Sequence, residues 1–368
     1  MKEINIGRVL TKKRKEKGIT QDELANYIGV SKASVSKWET EQSYPDVTFL
    51  PQLAAYFNIS IDELMDYQPQ MTKEDIRALY KNLSGKFASE PLETVLTECR
   101  TIIKKYYSCF PLLLQMGILM INHLELEKDP ERSAGLLREA KDLFVRIRAE
   151  SEDVAASRQA VYMEALCSLT AREPDAALEL LGHTVEPALP AESLLSAAYQ
   201  MKGEPELAKS VLQAGIYQNM VVLFNFLPAY MMQCAQEPEK FEETLRRTLL
   251  AAEAFDMQSL HPWHLINVFV SAAQGYMMQD KKEKALDMLE RFAEVASGDI
   301  YPMKLHGDSY FDLVDDWLEE LDLGGSLPRD EKTIRKSMTD LVTVNPAFTA
   351  LADEPRYRLI VQRMNQNR

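Results

Sequence analysis

Residues 20–39, TQDELANYIGVSKASVSKWE, constrain the fold more tightly than any other stretch of the chain. Thr20 and Glu23 stand at capping-box spacing, so a helix is predicted to begin at Gln21. Leu24, Ala25 and Ile28 share one face of that helix. Gly29 ends it with a residue tolerant of left-handed backbone. Ser31 then caps a second helix through its hydroxyl. In that helix Val35 and Trp38 point inward, while Lys32, Ala33, Ser34, Ser36 and Lys37 remain outside. Ala25 is small where the two helices cross, and Val35 fills the space between them.

The flanks extend the same core. Ile6, Val9 and Leu10 lie on one face of a preceding helix, with six basic residues between Arg8 and Lys17. Leu50, Leu53, Ala54 and Phe57 lie at helical spacing after Pro45 and Asp46, and Ser60 with Glu63 opens a last short helix holding Leu64 and Met65. The expectation is a five-helix domain over residues 1–66. Its second and third helices form a helix-turn-helix, a motif whose second helix enters the major groove.

The segment from Ile6 to Met65 closely resembles the Cro- and phage-repressor-like (XRE) helix-turn-helix family. The resemblance rests on Thr20-Gln21, Leu24-Ala25, Gly29, Ser31, Val35, Ser36-Lys37-Trp38-Glu39, Pro45-Asp46 and Ser60-Ile61-Asp62-Glu63-Leu64. It implies a homodimer on a double-stranded operator and a set of contact positions. Gln21 would meet a phosphate. Lys32, Ala33 and Lys37 would reach base edges, with Ser31, Ser34 and Ser36 beside them on base or phosphate. Arg8, Lys12 and Arg14 would meet the backbone. One position departs from the family, which commonly has Gly where this chain has Glu41. A side chain is costly at positive φ, so a differently shaped turn is expected there.

Charge separates this domain from the rest. The chain of 368 residues has a formal net charge of −14, from 42 basic and 56 acidic residues. Residues 1–66 hold 9 basic and 10 acidic side chains, so the remainder, with 33 and 46, carries almost the whole excess. That remainder should be repelled by a polyanion and serve another purpose. The N-terminus has no signal-like apolar region, and the most apolar run, near 111–121, is too short to span a bilayer. Cys99, Cys109, Cys167 and Cys234 lack metal or pairing spacing and fit buried thiols in a reducing cytoplasm.

A linker is expected at 67–71, followed by helices to the end of the chain. The sequence over 72–368 is rich in Ala, Leu, Glu and Met and lacks period-two β-branched runs. Helix starts recur at DPERSAGLL (129), EPDAALELL (173), EPELAKSVL (204), EPEKFEETL (237) and DKKEKALDML (280), separated by 44, 31, 33 and 43 residues. An acid followed by Pro puts the ring in the first helical turn, where its missing N–H costs nothing. An apolar helix precedes each start, so the segment resembles the tetratricopeptide family, which stacks one helix pair per ~34 residues. The fold class expected is therefore all-α, a helix-turn-helix domain followed by an α-solenoid of tetratricopeptide-like pairs.

Such arrays bind peptides or proteins on the face lined by the first helices. Tyr199, Asn225, Tyr230, Asn267 and Gln274 are the candidate ligand contacts, in company with Met201, Phe224, Tyr276 and Met277. The combination of elements also resembles the peptide-pheromone receptors of Gram-positive bacteria. It implies a sensor half for a peptide or small molecule, with a protein-docking scaffold as the alternative. No phosphate loop, nucleophile elbow or CxxC is present, and His261 and His264 lack a third metal-ligand partner nearby. Neither catalysis nor a cofactor is expected. The tail NPAFTALADEPRYRLIVQRM is expected to cap the open end of the array.

Overall fold

The computed structural model describes residues 5–67, 70–185, 187 and 190–366. Gln68 and Pro69, inside the expected linker, lie outside the described residues. Contacts divide the chain into two units, Met1–Thr72 with Ile102–Leu113, and Lys73–Thr101 with Leu114–Arg368. Among the described residues there is no strand, only an isolated bridge between Lys304 and Ser326.

The first unit contains the five expected helices, α1 (Ile6–Glu16), α2 (Gln21–Ile28), α3 (Lys32–Glu39), α4 (Leu50–Phe57) and α5 (Ile61–Met65). Their boundaries follow local chemistry. Thr20 and Glu23 form the full capping box, Gly29 takes φ 81°, and the Ser31 and Ser60 hydroxyls accept from the backbone N–H three residues on. Leu10, Leu24, Val35, Leu53 and Leu64 are fully buried together with Trp38. Each such aliphatic side chain contributes about 1.5–3 kcal/mol relative to exposure.

The chain continues as α6 (Lys73–Phe87), α7 (Leu92–Lys105), α8 (Phe110–Asn122), α9 (Pro130–Glu150), α10 (Val154–Thr170), α11 (Pro174–Leu181), α12 (Ala191–Met201), α13 (Pro205–Gln233), α14 (Pro238–Ala254), α15 (Met257–Leu260), α16 (Pro262–Met278) and α17 (Lys282–Ala296). It closes with α18 (Asp315–Glu319), α19 (Glu331–Thr343) and α20 (Pro355–Gln366). The predicted repeat starts coincide with the N-termini of α9, α11, α13, α14 and α17. The repeat is also written in the backbone. Residues Glu173, Glu204, Glu237 and Lys281, each preceding a second helix, share φ between −100° and −115° and ψ between 66° and 81°. Arg172, Gly203 and Asp280, one residue earlier, all take positive φ.

One expected boundary is missing. The second helix of one pair and the first helix of the next are fused into the 29 residues of α13. The reason lies in its sequence, which has no turn punctuation between Glu206 and Gln233 beyond Gly215 and Pro228. Gly215 serves packing instead, since a Cβ there would lie 3.0 Å from the Cγ of Glu192 on α12. Pro228 removes one donor but does not break the helix, its ring being buried in the core.

Two glycines set close helix crossings in the second unit. A Cβ at Gly117 would lie 2.5 Å from the Phe144 ring, and one at Gly275 would lie 2.2 Å from the Phe241 ring. The tail does pack on the last pair, with Arg356 of α20 paired to Glu283, Asp287 and Glu290 of α17. The opposite end shows a contact not expected for an open array. Arg77 of α6 donates to the carbonyls of Glu319 at 2.7 Å and Leu321 at 2.8 Å, groups left over at the end of α18.

Candidate nucleic-acid interface

Helix α3 is short, and three devices hold it in place. Its N-terminus is tied by the Ser31 hydroxyl, which accepts from Ser34 N–H at 3.1 Å and lies 2.9 Å from the Ser34 hydroxyl. Its inner face is Val35 and Trp38, both buried, with Trp38 tilted on Phe49 at 5.9 Å. Its C-terminus is anchored by Glu39. That carboxylate accepts from Arg14 Nε at 2.5 Å and Nη2 at 3.0 Å, and from Gln21 Nε2 at 2.8 Å. A third Arg14 donor reaches the Ile19 carbonyl at 2.8 Å. Glu39 thereby ties the first three helices together. Burial alone would raise its carboxyl, but the hydrogen bonds from Arg14 and Gln21 and the charges of Arg14 and Lys15 outweigh that and hold it below the usual carboxylate range.

The outward face of α3 is as the spacing predicts. Lys32, Ala33 and Lys37 are exposed, and Ser34 and Ser36 are half-buried beside them. Among the described residues, no ion pair engages Lys32 or Lys37. The remaining candidates divide. Lys12 is exposed and only loosely paired with Glu16, at 4.0 Å. Arg8 is 70% exposed and pairs with Asp66. Arg14 is 13% exposed and spent on Glu39, so its guanidinium is structural and does not face solvent with the others. Gln21 is half-buried, its amide turned to Glu39 rather than outward. Lys13 is paired with Glu63 at 3.0 Å. Most of the α1 cations are therefore matched by acids within the domain.

The turn after α3 corrects the expectation at Glu41. The backbone keeps the left-handed geometry, with Glu41 at φ 58°, and a glutamate bears the strain that glycine avoids. Gly7, inside α1, explains why this turn is held. A Cβ there would lie 2.4 Å from the Trp38 carbonyl oxygen and 2.8 Å from Glu41 Cγ. The signal was a glycine in an otherwise good helix, usually a mark of close backbone approach.

Residues 10–64 match the helix-turn-helix family model. These residues form a helix-turn-helix domain. Over 78 residues the chain is 30% identical to the HTH-type transcriptional activator BcrR of Enterococcus faecalis, a match covering 20% of this chain and 38% of that protein. Less than half of that relative is therefore spanned. Among solved structures, the apo form of ComR from S. thermophilus is similar over 80% of this chain and 94% of its own, at 16% identity and a TM-score of 0.25. ComR from the same source in complex with DNA and its signalling peptide ComS gives 17% identity and a TM-score of 0.24, over 79% of this chain and 93% of its own. Overlays this loose carry no atomic positions across.

The candidate ligand residues of the second unit lie on α12, α13 and α16. Asn225, Tyr230 and Asn267 are exposed, and Tyr199 and Gln274 are half-buried. Phe224 and Tyr276, named with them, are core residues, Tyr276 donating to Glu242 at 2.8 Å. None of these lines the cavity of about 580 Å³ in this unit, which lies among Tyr80, Lys81, Tyr301, Met303, Leu327 and Ile334. His261 and His264 are buried 5.3 Å apart, and burial pushes them down to about 3 and about 4. Among the described residues no group of three metal-binding side chains exists, and no helix is long and apolar enough to cross a membrane.

Proposed function

We propose that this protein is a sequence-specific DNA-binding transcription regulator acting as a homodimer on an operator with half-sites about one helical turn apart. The observation that carries the reading is the presentation of α3. Buried Val35 and Trp38 and the Glu39 anchor fix its inner side, and Lys32, Ala33 and Lys37 are left facing solvent. Lysine donates to guanine O6 and N7, and alanine packs on a thymine methyl. Lys12 and Arg8, with Ser34 and Ser36, serve as positioning contacts to phosphate. Arg14 and Gln21 act through Glu39, by orienting α3. The Enterococcus faecalis relative, a transcriptional activator, supports the same class.

The acidic second unit is the sensor in this reading, taking a peptide or small molecule. The helix-pair turns shared by Glu173, Glu204, Glu237 and Lys281 support a tetratricopeptide-like array, and ComR, solved with DNA and a signalling peptide, supplies the precedent for such a pairing. Genomic footprinting of the protein in cells tests the proposal. Discrete sites lost in the Lys32→Ala/Lys37→Ala variant are expected. Occupancy that is uniform along the genome, or unchanged in the variant, would overturn it.

A further inference from the structure

Helix α13 is apolar on two faces, which a helix at a protein surface ordinarily is not. Tyr217, Met220, Phe224, Pro228 and Met231 are buried in the core. On the other side Leu212, Ile216, Asn219, Leu223, Phe226 and Tyr230 are all exposed, Phe226 to 65%. Their spacing is 4, 3, 4, 3 and 4 residues, the heptad alternation of a helix–helix seam. The seam runs for about 27 Å at 1.5 Å per residue. From Ser210 to Gln236 the sequence carries no charged side chain, in a chain whose net charge is −14.

We infer that this seam docks on the same seam of a second copy, antiparallel, about a two-fold axis near residue 221. The pattern is self-complementary in that direction. Leu212 meets Tyr230 of the second copy, Ile216 meets Phe226, and Asn219 meets Leu223, each layer pairing alternate heptad positions. Charge fits the same arrangement. At the Leu212 end Glu192 lies against Gly215 and accepts from Gln218 at 2.5 Å. At the Tyr230 end Lys240 sits 5.9 Å from the tyrosine ring centroid and is held by a loose, solvent-exposed pair with Glu237 at 3.6 Å. Antiparallel pairing brings each Glu192 beside Lys240 of the other copy, twice per dimer. A parallel arrangement would instead place like charges together. A charge-free strip is also where two acidic chains can approach with least repulsion.

The contact is modest, short of the ~20–30 residues per side of a standard interface, so it forms in the micromolar range and is strengthened when both copies sit on one operator. This deepens the homodimer of the proposed function but does not depend on DNA. Sedimentation of the full chain from about 1 to 100 μM is the test. The wild type is expected to pass from monomer to dimer. Ile216→Glu/Phe226→Glu is expected to stay monomeric with unchanged helical circular dichroism. Glu192→Lys and Lys240→Glu should each weaken dimerisation about two- to fivefold, and their combination should restore it.

A wild type monomeric throughout, a dimer insensitive to Ile216→Glu/Phe226→Glu, or singles not rescued by the double would overturn the inference. So would a monomer that instead floats with phosphatidylcholine vesicles. A chain that dimerises this way but ignores DNA would overturn the DNA-binding reading alone. One that binds a full operator while the seam variant stays dimeric would overturn the seam alone.

Discussion

Arg14 and Glu39, 25 residues apart, form a two-point ion pair in which the carboxylate is only 5% exposed. It joins the helix that bears most of the domain's cations to the end of α3, the helix proposed to enter the DNA groove. Removing one partner leaves the other buried and unmatched. Glu39→Ala is expected to lower the stability of the first unit by about 3 kcal/mol or more, read by urea unfolding of the full chain. Arg14→Lys keeps the charge but loses the fork, and should recover only part of that.

The same pair sets an acid response. The Glu39 carboxyl is held below its ordinary value in the fold. Its stabilisation is therefore complete above the ordinary carboxylate pKa of roughly 4.3 and lost as pH falls through the lower folded value. In the Glu39→Gln variant the urea midpoint of this domain should fall less steeply with acidification below that range. An identical pH profile in variant and wild type would show that the carboxylate contributes nothing there.

His261 and His264 give the second unit a different window. Both are buried and neutral in the fold, at about 3 and about 4, against an unfolded value near 6.5. The unfolded chain takes up their protons first, so their contribution is intact above pH ~6.5 and falls by up to about 1.4 kcal/mol per pH unit for each histidine below it. Thermal melts between these limits should show a declining midpoint that flattens in His261→Phe/His264→Phe.

Glu41 invites a stabilising change. Glu41→Gly relieves the left-handed backbone strain, offset in part by the freedom glycine gains on unfolding, for a net gain of about 0.5–1 kcal/mol. It also removes a negative charge next to α3, so DNA affinity at low salt should rise. Gly7→Ala should act the other way, since its methyl meets the Trp38 carbonyl at 2.4 Å. Both are checked by melting temperature and by titration with a duplex.

On DNA, replacing Lys32 or Lys37 by Ala should cost about 1–3 kcal/mol on the preferred operator and relax its sequence preference. Lys12→Ala should weaken all duplexes alike and reduce the log–log salt slope by about one. Fluorescence anisotropy over a salt series distinguishes the two effects.

What could be read in advance was governed by local chemistry. The boundaries of α2 and α3 follow from Thr20, Glu23, Gly29 and Ser31, all within a few residues of the termini they cap. The repeat starts were legible because Pro fits the first turn of a helix. The roles of Arg14 and Gln21 were not, because a long polar side chain at a surface-facing position reads alike whether it reaches solvent or an acid 25 or 18 residues away. Positive φ at Arg172 was equally hidden, since an arginine does not advertise that conformation as Gly, Asn or Asp can. The fusion within α13 escaped because the repeat pattern fixes where helices start better than where they stop.

That fusion alters how the array behaves as a mechanical object. In a stack of separate helix pairs each unit can open by itself, and a disturbance decays within a neighbour or two. With one uninterrupted helix shared between two pairs, neither can fray without the other. The amides from the α12 side to the α16 side of α13 should therefore exchange with solvent as a single block. Whatever loads one end of that helix is felt at the other, about 43 Å away along its axis.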